Sequence, residues 1–169
     1  MIVVDSSSII ALSKAGCFEL VRALFETAVI SEGVFEEVVV RGKGRAGARE
    51  VERGKVSGWL LVKSIRNLEE LPRIQTFGLS EADAETIILA KELEAAYLLI
   101  DDKKAHDVAA YFLTDTQIVL LRSGSLLILA KEEGLIEEVK PFLDKMIREG
   151  VWISERDYER ILRQSGEEP

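Results

Sequence analysis

Five short, unbroken apolar runs punctuate the chain: Ile2-Val3-Val4, Ala28-Val29-Ile30, Trp59-Leu60-Leu61-Val62, Tyr97-Leu98-Leu99-Ile100 and Ile118-Val119-Leu120-Leu121. A run without polar alternation suits a strand buried on both faces, which is the condition of a parallel sheet covered on each side. Between the runs lie stretches with helical spacing of apolar residues. Strands alternating with helices predict an α/β fold, a central parallel sheet of about five strands flanked by helices and joined by right-handed crossovers.

The helices announce themselves by their starts. Asp5 closes the first run, and Ser6, Ser7 and Ser8 precede a helix over Ile9 to Ala15, with Gly16 as its stop. Phe18, Val21, Leu24 and Phe25 mark a second helix. Ser31 caps a third that carries Val34, Phe35 and Val38 on one face. Leu79-Ser80-Glu81-Ala82-Asp83 opens the clearest helix, which runs to about Ala95. Lys104 to Phe112 is the next, and Asn67 to Phe77, with Pro72, reads as a connection. After Gly124 the chain turns helical in three pieces: Leu126 to Glu133, Ile136 to Arg148, and a last helix after Ser154. Residues 1–125 therefore read as the main domain and 126–169 as a helical extension packed on it.

The acids stand where such a fold binds ligands. Open parallel sheets hold ligands outside the carboxyl ends of their strands, where the order of connection reverses. Asp5 and Asp101 occupy that edge on two different strands, and if the first and fourth strands are neighbours their side chains can share one ion. Each acid also has a plainer role open to it. Asp5 is placed to cap a helix, Asp83 sits at the third helical position after Ser80, Glu37 is an acid in a helix, and Asp101-Asp102 is a doublet suited to a turn. Glu85 lies two positions beyond Asp83, about 200° around the helix, so the two cannot both point into one pocket. Carboxylates without histidine favour Mg²⁺ or Mn²⁺ over zinc.

The order of these motifs is specific. Val4-Asp5-Ser6-Ser7, Ile30-Ser31 followed by Glu37, Leu79-Ser80 to Asp83-Ala84-Glu85, and Leu98-Leu99-Ile100-Asp101-Asp102 resemble the acidic motifs of PIN-domain ribonucleases, a family that includes the VapC-type toxins. The Ile-Asp-Asp doublet, the Gly124-Ser125-Leu126 step and the C-terminal helices are nearer to another prokaryotic PIN subfamily than to those toxins. The resemblance implies a three-layer α/β/α fold and a metal-dependent endoribonuclease in which Asp5, Glu37, Asp83 and Asp101 are catalytic acids and ligands of Mg²⁺ or Mn²⁺. Glu85 and Asp102 would be substitutes or outer partners, and Ser6 or Ser7 would hydrogen-bond the Asp5 carboxylate or a water. It implies further a toxin role with an antitoxin protein as partner, and a homodimer, for which Leu126, Leu127, Leu129, Ile136, Val139 and Phe142 offer apolar faces.

Residues 41–58 form the only basic stretch, with Arg41, Lys43, Arg45, Arg49, Arg53 and Lys55 among five glycines. It reads either as a mobile flap that meets RNA phosphates or as a solvated loop. Gly42-Lys43-Gly44-Arg45-Ala46-Gly47 imitates a dinucleotide fingerprint but follows a helix rather than a strand, so no cofactor site is expected there. His106, alone of its type, is expected at the surface or the edge of the site. Trp59 and Trp152 each sit in an apolar segment and are expected in the core or an interface.

The net charge of −8 argues against a protein that coats nucleic acid electrostatically, yet is compatible with a site that holds cations. A single cysteine, Cys17, and no apolar run approaching the ~18 residues of a membrane span point to a reducing cytoplasm and no membrane. Two rivals remain. One is a PIN fold without catalysis that binds nucleic acid or protein, and the other a receiver- or phosphatase-like domain that also uses strand-end aspartates. Against the latter, Asp5 has no early acidic companion.

Overall fold

The computed structural model describes all 169 residues, as a five-stranded, wholly parallel sheet between two helical layers. The strands are β1 (Ile2–Val4), β2 (Ala28–Ser31), β3 (Leu60–Lys63), β4 (Tyr97–Leu99) and β5 (Val119–Leu121). Their spatial order is β3-β2-β1-β4-β5. The chain steps outward from β1 to β3, then returns to pair β4 on the other side of β1. The connection thus reverses between β1 and β4, the position at which this class of sheet opens a crevice.

Alternation along each strand assigns side chains to the two layers. Ile2, Val4, Ala28, Ile30 and Leu99 enter one core with residues of α1 (Ser6–Lys14), α2 (Glu19–Phe25), α3 (Glu32–Phe35) and α4 (Ala48–Val56). Val3, Val29, Leu98 and Ile100 enter the other, under α5 (Glu70–Gln75), α6 (Glu81–Glu92) and α7 (Lys103–Phe112). Because β1 is buried on both faces, its three residues are fully inaccessible, which is why the run carries no polar position.

The C-terminal helices α8 (Ser123–Glu132), α9 (Lys140–Arg148) and α10 (Glu155–Gln164) belong to the first layer. Leu126, Leu127 and Val139 are fully buried in the chain's own core, and Ile136 and Phe142 pack against it. Those residues therefore do not form the free apolar face on which the expectation of a homodimer rested. The end of the chain is fastened by Glu167, whose carboxylate accepts hydrogen bonds from the Val139 and Lys140 N–H groups at 2.6 and 2.9 Å and pairs with Lys131 at 2.9 Å.

Three expectations change. Within residues 41–58 the stretch 48–56 forms α4 rather than a loop, and Gly54 lets the helix lie on Trp59, where a Cβ would come within 3.0 Å of the indole. The connection at Asn67 to Phe77 contains α5, whose Pro72 falls in the first turns, where no helical N–H is needed. Trp59 is buried, its ring tilted against Phe18 at 5.6 Å, whereas Trp152 is 85% exposed, which leaves an interface and not the core as its expected place. Cys17 is a buried apolar residue. No helix is long and apolar enough to cross a membrane.

Candidate active site

β1 delivers Asp5 to the switch point. Its backbone N–H bonds the Leu99 carbonyl of β4 at 3.0 Å, so the residue is still part of the sheet's ladder, while its side chain already caps α1 through the Ser8 N–H at 2.8 Å. The other carboxylate oxygen accepts from the Ser7 hydroxyl at 2.6 Å. Capping and site placement, read as alternatives from the sequence, are one arrangement. The side chain is wholly buried; desolvation, and after it the negative charge of Asp101, push its carboxyl up to about 7 against the hydrogen bonds from Ser7 and Ser8.

Asp101 follows β4 on the other side of the switch point. Both its oxygens are held by one residue, Ser123, through the N–H at 2.7 Å and the hydroxyl at 2.5 Å. Burial raises its pKa, opposed by those bonds and by the positive charge of Arg122. Asp102 turns away to cap α7 through the Ala105 N–H at 2.8 Å, and its own N–H bonds the Ser7 hydroxyl at 3.2 Å. Ser7 thereby ties the doublet to Asp5.

Glu37 arrives by a distortion of backbone. After α3 the chain widens into a single π-helical stretch, Glu36–Val40, a device found often at functional sites. There Glu37 is exposed and accepts a bond from the Ser6 hydroxyl at 2.9 Å. Asp83 stands in the first turn of α6, half-buried; burial raises its pKa, Ser80 opposes this, and Asp102 and Glu37 add to it by like charge. Asp5 thus feels the charge of Asp101, and Asp83 those of Asp102 and Glu37.

Glu85 points elsewhere. Its carboxylate accepts the Gly33 N–H at 2.8 Å and so docks α3 on α6. A Cβ at residue 33 would lie 2.5 Å from that carboxylate and 3.1 Å from the Ala82 backbone. Gly33→Ala is accordingly expected to lower stability by about 1–3 kcal/mol through overpacking, read as a lower urea midpoint. An unchanged midpoint would mean that this contact does not set the spacing of the helices carrying Glu37 and Asp83.

No three acidic, histidine or cysteine side chains converge tightly enough to make a ready-formed cation cage. The donor chemistry nevertheless suits a hard divalent cation. None of the six ion pairs in the molecule involves Asp5, Glu37, Asp83, Glu85, Asp101 or Asp102, and burial raises the pKa values of Asp5, Asp83 and Asp101.

A family model described as DUF3368, PIN domain, matches residues 1–167. The chain belongs to the PIN-domain family. The match runs through the C-terminal helices as well as the sheet, and the parallel sheet between helical layers is the PIN-like three-layer α/β/α architecture. PIN domains are generally nucleases and typically use divalent metals. No curated protein and no solved structure matches this PIN-domain chain significantly.

Two residues of the site went unnoticed in the sequence. Arg122 and Ser123 follow β5 as Asp5 follows β1, so the strand-end rule, applied to polar residues as well as acids, finds them. His106 lies half-buried in the same groove; burial and the positive charge of Arg122 lower its pKa.

Proposed function

We propose that this PIN domain is a metal-dependent endoribonuclease, with Asp5, Glu37, Asp83 and Asp101 as the acids that bind Mg²⁺ or Mn²⁺. The observation that carries the reading is the placement of Asp5 and Asp101 on either side of the β1–β4 switch point, Asp5 buried and Asp101 half-buried, both raised in pKa and neither neutralised by a basic side chain in an ion pair. When bound, such an ion supplies Lewis-acid chemistry, activating water and offsetting the charge that grows on the phosphodiester oxygens.

The side chains then have separate duties. Ser7 and Ser123 orient Asp5 and Asp101 by hydrogen bonds to their carboxylates. Ser6 orients Glu37 in the same way. Asp83, with a raised pKa and no basic partner, is the acid best placed to take a proton from water, while Glu85 and Asp102 act as outer partners that fix α3 and α7. The narrower role, toxin of a toxin–antitoxin pair with an antitoxin protein as partner, follows the same motif order and adds no site residue.

The test is cleavage of a mixed-sequence single-stranded RNA in Mn²⁺, in EDTA, and by Asp5→Asn in Mn²⁺. Cleavage is expected only from the unaltered chain with Mn²⁺. Cleavage that survives both EDTA and the substitution would overturn the mechanism, and metal-independent binding without cleavage would make the chain a binding module instead.

A further inference from the structure

A broad concavity begins at Asp101 and Asp102 and leads away from them. It has a volume of about 1010 Å³, with Ser7, Asp101 and Asp102 at one end and α10 with the turn before it forming the far wall. That is at the upper end of the ~300–1,000 Å³ of an ordinary small-molecule pocket, and Trp152, Arg156 and Arg160 of its far wall are exposed to solvent. An extended chain fits such a groove better than a metabolite.

The far wall carries cations and an aromatic surface. Trp152, Arg156 and Arg160 stand there, and Arg122, just after β5, lines the same groove. Arg160 is paired with Asp157 at 2.8 Å, but Arg122 and Arg156 have no ion-pair partner, in a chain whose net charge is −8. Trp152 is the most exposed aromatic side chain in the protein, at 85%. A tryptophan left in water next to unpaired arginines offers what an unpaired nucleic-acid strand requires: a ring on which a base stacks, and guanidinium groups for the flanking phosphates. The basic residues of 41–55 lie on and before α4, at the opposite edge of the sheet from β5.

We propose that this groove is the path of the single-stranded RNA substrate, with Trp152 stacking a base and Arg122 and Arg156 contacting phosphates on one side of the scissile bond. The assignment rests on the ribonuclease reading for the identity of the strand, but it concerns binding and is testable without cleavage. It makes the C-terminal extension part of the substrate site and gives the enzyme a preference for unpaired over duplex RNA, since a base within a duplex has no free face to stack.

The experiment uses the full chain carrying Asp5→Asn, titrated with a short mixed-sequence single-stranded oligoribonucleotide while tryptophan fluorescence is followed. Trp59 is buried, so quenching reports on Trp152. The expected result is saturable quenching, ~5- to 100-fold weaker binding for Trp152→Ala, largely restored binding for Trp152→Phe, and a smaller salt dependence for Arg156→Ala. Both residues are exposed, so neither substitution endangers the fold. Equal binding by the parent and both alanine variants would overturn the proposal, as would failure to bind the oligonucleotide, or quenching by an acidic peptide and not by RNA. Binding that depends on Trp152 without any cleavage by the unaltered chain would reject the ribonuclease reading and leave the groove assignment standing. Cleavage with a KM unmoved by Trp152→Ala would do the reverse.

Discussion

Asp5→Asn is expected to make the protein more stable at pH 8 while abolishing RNA cleavage. The carboxyl of Asp5 titrates near 3.8 in an unfolded chain and about 7 in the folded one. A raised acid binds its proton more tightly when folded, so its effect is neutral below the unfolded value, grows unfavourable as pH rises from about 4 to about 7, and is constant above that. Three units correspond to roughly 4 kcal/mol, and relaxation around the charge reduces this to an expected gain of about 2–4 kcal/mol on neutralising the group. Asparagine keeps the oxygen that accepts the Ser8 N–H and caps helices as well as aspartate does, so α1 retains its start. For a chain of this size the gain is a rise of roughly 5–12 °C in melting temperature at pH 8, shrinking towards pH 4. A variant less stable than the parent at pH 8 would show that the buried charge is compensated by contacts not recognised in this account.

Glu167 supplies the opposite pH dependence. Burial alone raises its pKa, but the hydrogen bonds from Val139, Lys131 and Lys140, together with the Lys131 charge, outweigh it and hold the group at about 2. A depressed acid contributes its full stabilisation above the unfolded value near 4.5 and loses it as pH falls from there towards 2. Glu167→Ala leaves two N–H groups at the start of α9 and the Lys131 ammonium without their acceptor. Hydrogen bonds to a charged group contribute about 1.5–3 kcal/mol each, and three on one carboxylate are not additive. A loss of about 2–4 kcal/mol at pH 7 is expected, narrowing as the parent is acidified, both read from urea midpoints. Because α9 buries Leu143 and Met146 in the core beneath α1, an unchanged midpoint would show that packing alone fixes the C-terminal helices.

The central strands were legible because they obey a single strong rule, whereas the edge strands β3 and β5 have the same apolar runs but are partly exposed. β1 and β4 are buried on both faces, so apolar runs ending in Asp5 and near Asp101 located both the sheet and the ends that matter. Their adjacency was conditional in the sequence and follows from the order of pairing. Asp83 and Glu85 diverge as their spacing on one helix requires, Glu85 turning to Gly33. What was hidden depended on partners distant in sequence. The glycines of 41–58 signalled a loop locally, but Gly54 is there to let α4 touch Trp59. Trp152 sits between Val151 and Ile153, both half-buried, and nothing in those three residues tells which of them faces water. The apolar residues of α8 and α9 were visible as a surface seeking a partner, and the partner is the chain's own α1 and sheet. The widened turn at Glu36–Val40 has no signature in sequence, yet Glu37 lies within it.

The central claim is that the strand-end carboxylates hold a divalent cation, and Mn²⁺ titration by calorimetry near pH 7, repeated in buffers of different ionisation enthalpy, tests it most directly. The Asp5 carboxyl is raised towards this pH, so binding at that carboxylate is expected to release protons from it, and Asp5→Asn is expected to lose both the high-affinity binding and that proton release. Mn²⁺ binding of equal affinity in the variant, with no proton released by the parent, would contradict the account.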